Sequence, residues 1–254
     1  MATDVRMAVK VVPKGRNRAR DDRYFFLGMA ILLLGTVFLG FAKTYYLAGL
    51  FRAALPSLVI HIHGAVFSSW IVLLIVQTSL VSAGRVDMHR RLGLVGFGLA
   101  CLMVVLGSLA ATDLLRRDGA ALGADAKAFY ASSLGDMVIF GTLVYFAFRD
   151  RFKPASHKRL ILIATIALMA AAINRWPFAA IQQSPFLIMA INDVFLVLLV
   201  VYDFWSTHKV HPSTIWGGLF LIIVQQLELP IGGTAVWQNF ATWVLQHARS
   251  IHGT

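Results

Sequence analysis

Seven long apolar runs, separated by short polar segments, dominate the sequence and limit what the chain can fold into. Each run is close to the roughly 20 residues that an α-helix needs to cross about 30 Å of hydrocarbon. Charged residues make up only 14% of the chain, whereas a soluble domain carries about 25%. The sequence therefore predicts an all-α polytopic membrane protein, a seven-transmembrane-helix bundle. The predicted spans are 24–42, 57–82, 91–115, 127–148, 159–181, 185–204 and 213–231.

Polar segments flank the predicted transmembrane domain, 24–231, on both sides. Residues 1–23 hold seven lysines and arginines without apolar periodicity, which predicts a basic, disordered cytoplasmic tail. Residues 234–249 carry aromatic and apolar side chains at spacings of three and four, which predicts a C-terminal amphipathic helix at the membrane interface. A frayed polar tail is the alternative. The predicted apolar stripe comprises Trp237, Phe240, Val244 and His247.

Positive charge gathers on one side of the predicted bundle. The net charge is +11, and sixteen of the 23 lysines and arginines lie in the tail or around the loops that follow spans two, four and six. By the positive-inside rule this side is cytoplasmic, so that the N-terminus lies inside and the C-terminus outside. A nucleic-acid partner is not expected, because no soluble domain remains to carry a nucleic-acid-binding surface. The expected partner is the lipid bilayer, and a second membrane protein stays an alternative.

Polar and ionisable side chains concentrate in the half of the spans that lies away from the basic side. Depths counted at about 1.5 Å per residue put them in one leaflet. Ionisable groups inside spans are costly and are usually paired within the bundle, so they indicate either a binding site or a structural network. The predicted pocket residues are His61, His63, Asp136, Asn174, Arg175, Asp193, Gln225 and Glu228.

Arg175 requires a partner, because a guanidinium group cannot lose its proton in a protein. Asp136 and Asp193 are the expected carboxylates, with Glu228 next. If these residues only join helices, the network is structural. If they line a pocket, the histidines and glutamines nearby extend the polar surface beyond what joining helices needs. Both interpretations stay open.

His61 and His63 lie two residues apart in the second span, so on a regular helix they point in nearly opposite directions. His61 shares its face with small residues such as Gly64, and we expect this face to turn toward the bundle. His63 shares its face with bulkier residues such as Phe67 and Trp70, as a pocket wall or a lipid-facing strip would. The candidate metal ligands on this side are His61 and Asp136.

Histidines also mark the basic side, where they lie among arginines and lysines at headgroup depth. Three of them are candidate ligands of zinc, copper or haem iron if the loops converge: His89, His157 and His211. Anionic phospholipid headgroups on the cytoplasmic side are the other expected partners. The residues predicted to bind lipid phosphate are Arg90, Arg91, Lys158 and Arg159.

Six motifs, taken in order, resemble those of a widespread group of bacterial seven-span membrane proteins for which no activity is established. They read HxHGAVFxxW, GRxDxHRRLG, LGDxxxF, HKRLxLxAT, NDVFLVxLVVYD and VHPxxxWGG, and they lie within residues 24–245. The resemblance implies the seven-span fold and a bacterial inner membrane, but no reaction. The HRRLG element alone is similar to helix starts in haem-bearing and redox membrane families.

The functional expectation is an outward-facing intramembrane pocket that binds a metal, a haem-like group or a small ligand, with redox chemistry in the metal versions. A proton-coupled transporter and an accessory subunit of a larger membrane complex are the alternatives, and enzymatic activity stays open. No lysine lies in spans five to seven, which excludes a retinal Schiff base there. The HExxH, GxSxG, P-loop and GxGxxG motifs are also absent from the sequence.

Overall fold

The computed structural model describes residues 14–52 and 57–250, and every regular element within them is helical. The helices are α1 (Lys14–Phe41), α2 (Ala48–Phe51), α3 (Leu58–Ser82), α4 (Val86–Leu122), α5 (Ala124–Arg149), α6 (Pro154–Ala167), α7 (Ala170–Ile173), α8 (Ala179–Gln182), α9 (Pro185–Thr207), α10 (Pro212–Gly233) and α11 (Ala235–Ser250). A π-helical segment, Ala42–Tyr46, continues α1.

Seven segments of the described chain are long and apolar enough to cross a membrane. They are Arg20–Tyr46, Leu58–Ser82, Val86–Arg117, Ala124–Arg149, Pro154–Ile173, Pro185–Thr207 and Pro212–Gly233. The predicted all-α bundle of seven spans is therefore confirmed. Helix α1 begins at Lys14, so residues 14–23 of the predicted disordered tail are helical, whereas residues 1–13 lie outside the described residues.

The polypeptide turns sharply at residues suited to ending or starting helices. Gly84 and Gly123 adopt positive φ angles of 75° and 56°, a conformation that glycine reaches without steric cost. Proline occupies the first turn of α6, α9 and α10, where its missing N–H group would have no helical partner anyway. Successive spans consequently run in opposite directions. We call the end with the start of α1 and the loops 83–85, 150–153 and 208–211 the basic end, and the other the opposite end.

Helices α5 and α6 form the centre of the bundle. Helix α5 contacts α4, α6, α10 and α11, and α6 also contacts α1, α9 and α10. Leu160, Ile163 and Ile166 are fully buried on α6. A helix that is apolar on all sides is stable only when other helices surround it.

The fifth span is broken in its second half. Helix α6 ends at Ala167, where the N–H of Leu168 donates to Thr165 and that of Met169 to Ile166, three residues back rather than four. Helix α7 then continues for one turn from Ala170. The predicted single span 159–181 is therefore interrupted within the bundle.

Helix α11 lies against α4 and α5 rather than extending away from the bundle. It buries Ala241 and Leu245 in a cluster with Ala126 and Tyr130, while Phe240 of the predicted apolar stripe is exposed. The indole N–H of Trp237 donates to a backbone carbonyl of α5 at 2.7 Å. The predicted C-terminal helix is thus helical, and Trp237 and Val244 of the predicted stripe contact the bundle together with Ala241 and Leu245.

Candidate functional site

The basic end holds a buried ion pair between Arg159 of α6 and Asp203 of α9. The guanidinium Nε lies 2.9 Å from one carboxylate oxygen of Asp203. The other oxygen accepts from the Thr214 hydroxyl at 2.6 Å and from the backbone N–H of His211 at 3.1 Å. Only 4% of Arg159 and none of Asp203 is exposed. Because both charges are paired and hydrogen-bonded, this group joins spans five, six and seven without an open ligand position.

A second ion pair attaches the first span to the same end. The ammonium group of Lys158 lies 2.8 Å from Asp22 of α1, which also accepts from the Tyr202 hydroxyl at 2.5 Å. The prediction that Arg159 binds lipid phosphate is wrong, because its side chain is buried against Asp203. Lys158 pairs with Asp22 where both side chains are partly exposed, so its contact with phosphate stays a prediction, and Arg90 and Arg91 are exposed at the basic end.

Two of the basic-end histidines are neighbours. The rings of His89 and His157 lie 6.2 Å apart between centroids, and His157 donates through Nδ1 to the carbonyl of Ala147 at 2.9 Å. The side-chain amide of Gln77 is oriented so that its oxygen faces a donor and its nitrogen faces acceptors. In this orientation the nitrogen donates to Nδ1 of His89 at 2.8 Å. Each ring is thereby held by a neighbouring span.

The third basic-end histidine has a local role that differs from metal binding. The Nδ1 atom of His211 accepts from the backbone N–H of Ser213 at 3.1 Å and so caps α10. Burial lowers the pKa of His211, which favours the neutral ring that this cap requires. Among the described residues, no group of three or more His, Cys, Asp or Glu side chains is arranged to hold a metal ion.

A carboxyl pair lies in the half of the bundle toward the opposite end. Glu228 of α10 packs across Gly135 of α5, where any side chain would occupy the space of its carboxyl group. It interacts electrostatically with the adjacent Asp136. Glu228 is 6% exposed, and its Oε1 atom has no hydrogen-bond partner. In the described part of the chain, neither carboxyl group forms an ion pair.

Gln225 extends the polar face below this pair. It lies three residues before Glu228 on α10 and is only 4% exposed, so both side chains turn toward the bundle on the same face of the helix. Helix α10 packs closely on α5 along this face, with Gly232 against Ala128.

Unpartnered buried polar atoms are concentrated in this half of the bundle. Within the described residues they are His63 Nδ1, Asn192 Oδ1, Asn192 Nδ2, Asp193 Oδ1 and Glu228 Oε1. The ring of His63 lies near the backbone carbonyl of Leu106, and its Nδ1 atom has no hydrogen-bond partner. Three of the five are oxygens that accept a hydrogen bond, whereas the amide nitrogen of Asn192 is a donor. A ligand that satisfied these atoms would have to be mainly a hydrogen-bond donor.

Asn192 was not singled out by the sequence, although it neighbours the predicted Asp193. It is fully buried on α9. Gly217 of α10 packs against Ile163 and Gly218 against Leu196, so these positions share one depth. Asn192 lies four residues before Leu196 on α9, and α6 ends four residues after Ile163. Both offsets lead about 6 Å toward the opposite end, so Asn192 lies at the depth at which α6 ends.

Of the two histidines in the second span, His63 rather than His61 lies on the face that turns toward the bundle, which is the reverse of the prediction from the sequence. His61 is exposed, and its backbone carbonyl accepts from the Tyr45 hydroxyl at 3.1 Å. His63 lies on the face that carries Trp70, which is 5% exposed. The prediction that the His61 face turns inward is wrong, because the bulky side chains fill the core and the small Gly64 accommodates the ring of Tyr45 instead. His61 consequently does not join Asp136 as a ligand pair.

The expected pairing of Arg175 with Asp136 and Asp193 is also wrong. Its guanidinium donates to the carbonyl of Ala171 at 2.6 Å and lies 4.9 Å from the ring centroid of Phe41. Among the described residues it forms no ion pair with a carboxylate. Arg175 is exposed beyond the end of α7, so it does not have to be neutralised inside the bundle.

A cavity of about 590 Å³ opens at the opposite end between α4, α5 and the connector that follows α7. Asn174 and Gln182 line it from the connector, and Asp125 and Phe129 line it from α5. Phe129 and Asp136 are seven residues, or two turns, apart and therefore share one face of α5. The cavity consequently lies about 10 Å above the carboxyl pair along that face.

Apolar side chains close the bundle between the carboxyl pair and the basic end. The fully buried residues at this depth include Phe140, Leu143, Ile163, Ile166 and Leu199. Trp70 packs edge-to-face on Phe140 at 5.2 Å and donates to Thr165 at 3.2 Å. In this conformation apolar packing separates the polar region from the basic end.

Comparison with protein-family models, with curated proteins and with solved structures finds no match for this chain.

Proposed function

We propose that this multi-pass membrane protein binds a small ligand in an intramembrane pocket and that binding is linked to release of a proton from the Asp136–Glu228 pair. The observation that carries the proposal is that the carboxyl group of Glu228, which is 6% exposed, packs against Gly135 beside Asp136, while neither carboxyl group forms an ion pair within the described residues. An isolated carboxylate in such surroundings is strongly disfavoured, and two adjacent ones repel each other. We therefore propose that the pair holds its protons at neutral pH and releases one when a positive charge arrives.

The side chains around the carboxyl pair do not support binding of a metal ion or a haem group. Asp136 and Glu228 offer two carboxyl groups, but His61 faces away from them and no third ligand completes a metal site within the described residues. A proton or a hydrogen-bond donor suits the unpartnered acceptors better, because it needs no fixed coordination geometry.

The test is a count of titrating protons on the purified protein in weakly buffered detergent. Raising the pH from neutral to strongly alkaline should release about two more protons from the wild type than from the double variant Asp136→Asn, Glu228→Gln. Asp87→Asn, which replaces an exposed carboxylate at the basic end, should behave as the wild type. Equal proton release from the wild type and the double variant would contradict the proposal.

Proton-coupled transport is the second candidate, and the interruption of the fifth span favours it. Broken helices at mid-membrane are a recurrent feature of carriers, and Pro230 interrupts the hydrogen bonding of α10 near Glu228 as well. In sealed proteoliposomes, an outward proton gradient should drive uptake of labelled tetraethylammonium, and the double carboxyl variant should abolish that uptake. Uptake equal to that of protein-free liposomes would remove this candidate.

We further propose a bacterial inner-membrane location with the basic end in the cytoplasm. The support is the excess of lysine and arginine at that end, where Arg90 and Arg91 stay available for anionic headgroups. The pocket would then open to the outside. An alkaline phosphatase fused to the C-terminus should be active in intact cells, and an inactive fusion would reverse the orientation.

A further inference from the structure

We propose that the cavity at the opposite end binds a hydrophobic organic cation, a quaternary or protonated amine with an apolar body. This inference rests on the proposed function, because the charge of such a ligand would be balanced by the Asp136–Glu228 pair. The cavity of about 590 Å³ is large enough for a drug-sized molecule.

The walls of the cavity suit an apolar body with a positive charge. Leu114 and Leu115 of α4 provide aliphatic surface, and Phe129 and Tyr130 of α5 provide aromatic rings. Aromatic faces attract ammonium groups through their quadrupole. Asp125 is the charged side chain among the described lining residues. An anion of the same size would meet this carboxylate at the entrance.

The same face of α5 leads from the cavity to the carboxyl pair. Phe129, Ser132 and Asp136 follow one another at spacings of three and four, so a polar serine lies between the aromatic ring and the pair. The distance of about 10 Å matches the length of an aryl or alkyl ammonium ion whose body stays in the cavity. A ligand of this class therefore spans both parts of the site.

A bound cation replaces a proton at the carboxyl pair, so that the net charge of the site stays constant. A monovalent cation beside the neutral pair displaces one proton from a carboxyl group, which leaves one carboxylate opposite one cation and no net charge. The other titratable groups that the neighbouring elements place in this half of the bundle include His63 of α3, Asp193 of α9 and Arg175 beyond α7. Arg175 lies over the ring of Phe41, so it does not supply the balancing charge itself.

The test uses two ions of the same shape and opposite charge, tetraphenylphosphonium and tetraphenylborate. Equilibrium dialysis of the full-length protein in an uncharged detergent should detect one phosphonium ion per chain in the cavity. The borate should bind at least about tenfold more weakly, equivalent to about 1.4 kcal/mol. Equal binding of the two ions would overturn the proposal, because it would indicate partition into an apolar surface without charge selection.

Substitutions of two cavity residues test whether the phosphonium ion binds in the cavity. Asp125→Asn should weaken phosphonium binding about tenfold, and Phe129→Leu should weaken it by a similar factor while keeping the wall apolar. Asp87→Asn at the basic end should leave binding unchanged. Unchanged binding in both cavity variants would overturn the proposal. If the carboxyl pair titrates as expected but no phosphonium binds, this inference is wrong and the proposed function stands. If the pair does not titrate, the proposed function fails first.

Discussion

Breaking the Arg159–Asp203 ion pair should destabilise the protein more than any exposed ion pair would. The replacement Asp203→Asn keeps the shape of the side chain but removes the charge that balances Arg159, which is only 4% exposed. Leaving one charge of a buried pair uncompensated costs about 3–5 kcal/mol. Arg159 keeps its hydrogen bond to the Ala155 carbonyl at 2.7 Å and lies 6.0 Å from the ring of Phe26. We therefore expect the lower end of that range, about 3 kcal/mol.

The assay is reversible unfolding in mixed micelles with increasing dodecyl sulfate, followed by circular dichroism. The matched control is Asp113→Asn, which removes an exposed ion pair to Arg117 and should cost at most about 1 kcal/mol. The apolar double variant Arg159→Met, Asp203→Leu should recover only part of the loss, because it removes the desolvation cost of both charges but leaves the Thr214 hydroxyl and the His211 N–H without their acceptor. A loss for Asp203→Asn no larger than the loss for Asp113→Asn would refute the reasoning.

Three further variants test separate contacts. Gly40→Ala should lower the unfolding midpoint and cost about 1–3 kcal/mol, because its Cβ would overlap the Ala172 backbone of α7; an unchanged midpoint would mean that α1 can move aside. Trp237→Phe removes the 2.7 Å bond to the Lys127 carbonyl, costs about 1 kcal/mol and should speed proteolysis after α10; equal cleavage rates would contradict the docking of α11. Burial lowers the pKa of His211, so the unfolded state binds its proton first. Stability from this group is complete above about pH 6.5 and falls as the pH drops through the folded pKa, a fall that His211→Asn should reduce.

The fold could be predicted because hydrophobic runs of spanning length leave few alternatives. The number and order of the spans follow from apolar length alone. The break after Ala167 could not be predicted, because Leu168 and Met169 are ordinary helix formers and the interruption depends on contacts with other helices.

The carboxyl pair was predicted only in part. Residue counting gives the depth of Asp136 and Glu228 in the bundle, but the rotation of each helix decides which groups meet. Depth alone favoured Arg175 as the partner, whereas the guanidinium turns to a backbone carbonyl and the ring of Phe41. Glu228 instead packs its carboxyl group against Gly135, the neighbour of Asp136 in the sequence, and the absence of a side chain at Gly135 was the signal that the sequence offered.

The partners of Lys158 and Arg159 at the basic end could not be predicted for a related reason. Lys158 and Arg159 follow a histidine at the start of a span, a pattern typical of residues that face lipid headgroups. Asp22 and Asp203 lie far away in the sequence, so nothing local indicated that each would pair with one of these cations. Buried ion pairs between distant spans are a property of helix packing, which one sequence does not reveal.

The protonation state of the Asp136–Glu228 pair is the most direct test of the account. Infrared difference spectroscopy of the purified protein at neutral pH should detect the carbonyl stretch of protonated carboxyl groups. The band should shift in heavy water, weaken in Asp136→Asn and in Glu228→Gln, and disappear in the double variant. A wild-type spectrum at neutral pH with carboxylate bands alone, or one unchanged in the double variant, would contradict the claim that this buried pair holds protons for exchange.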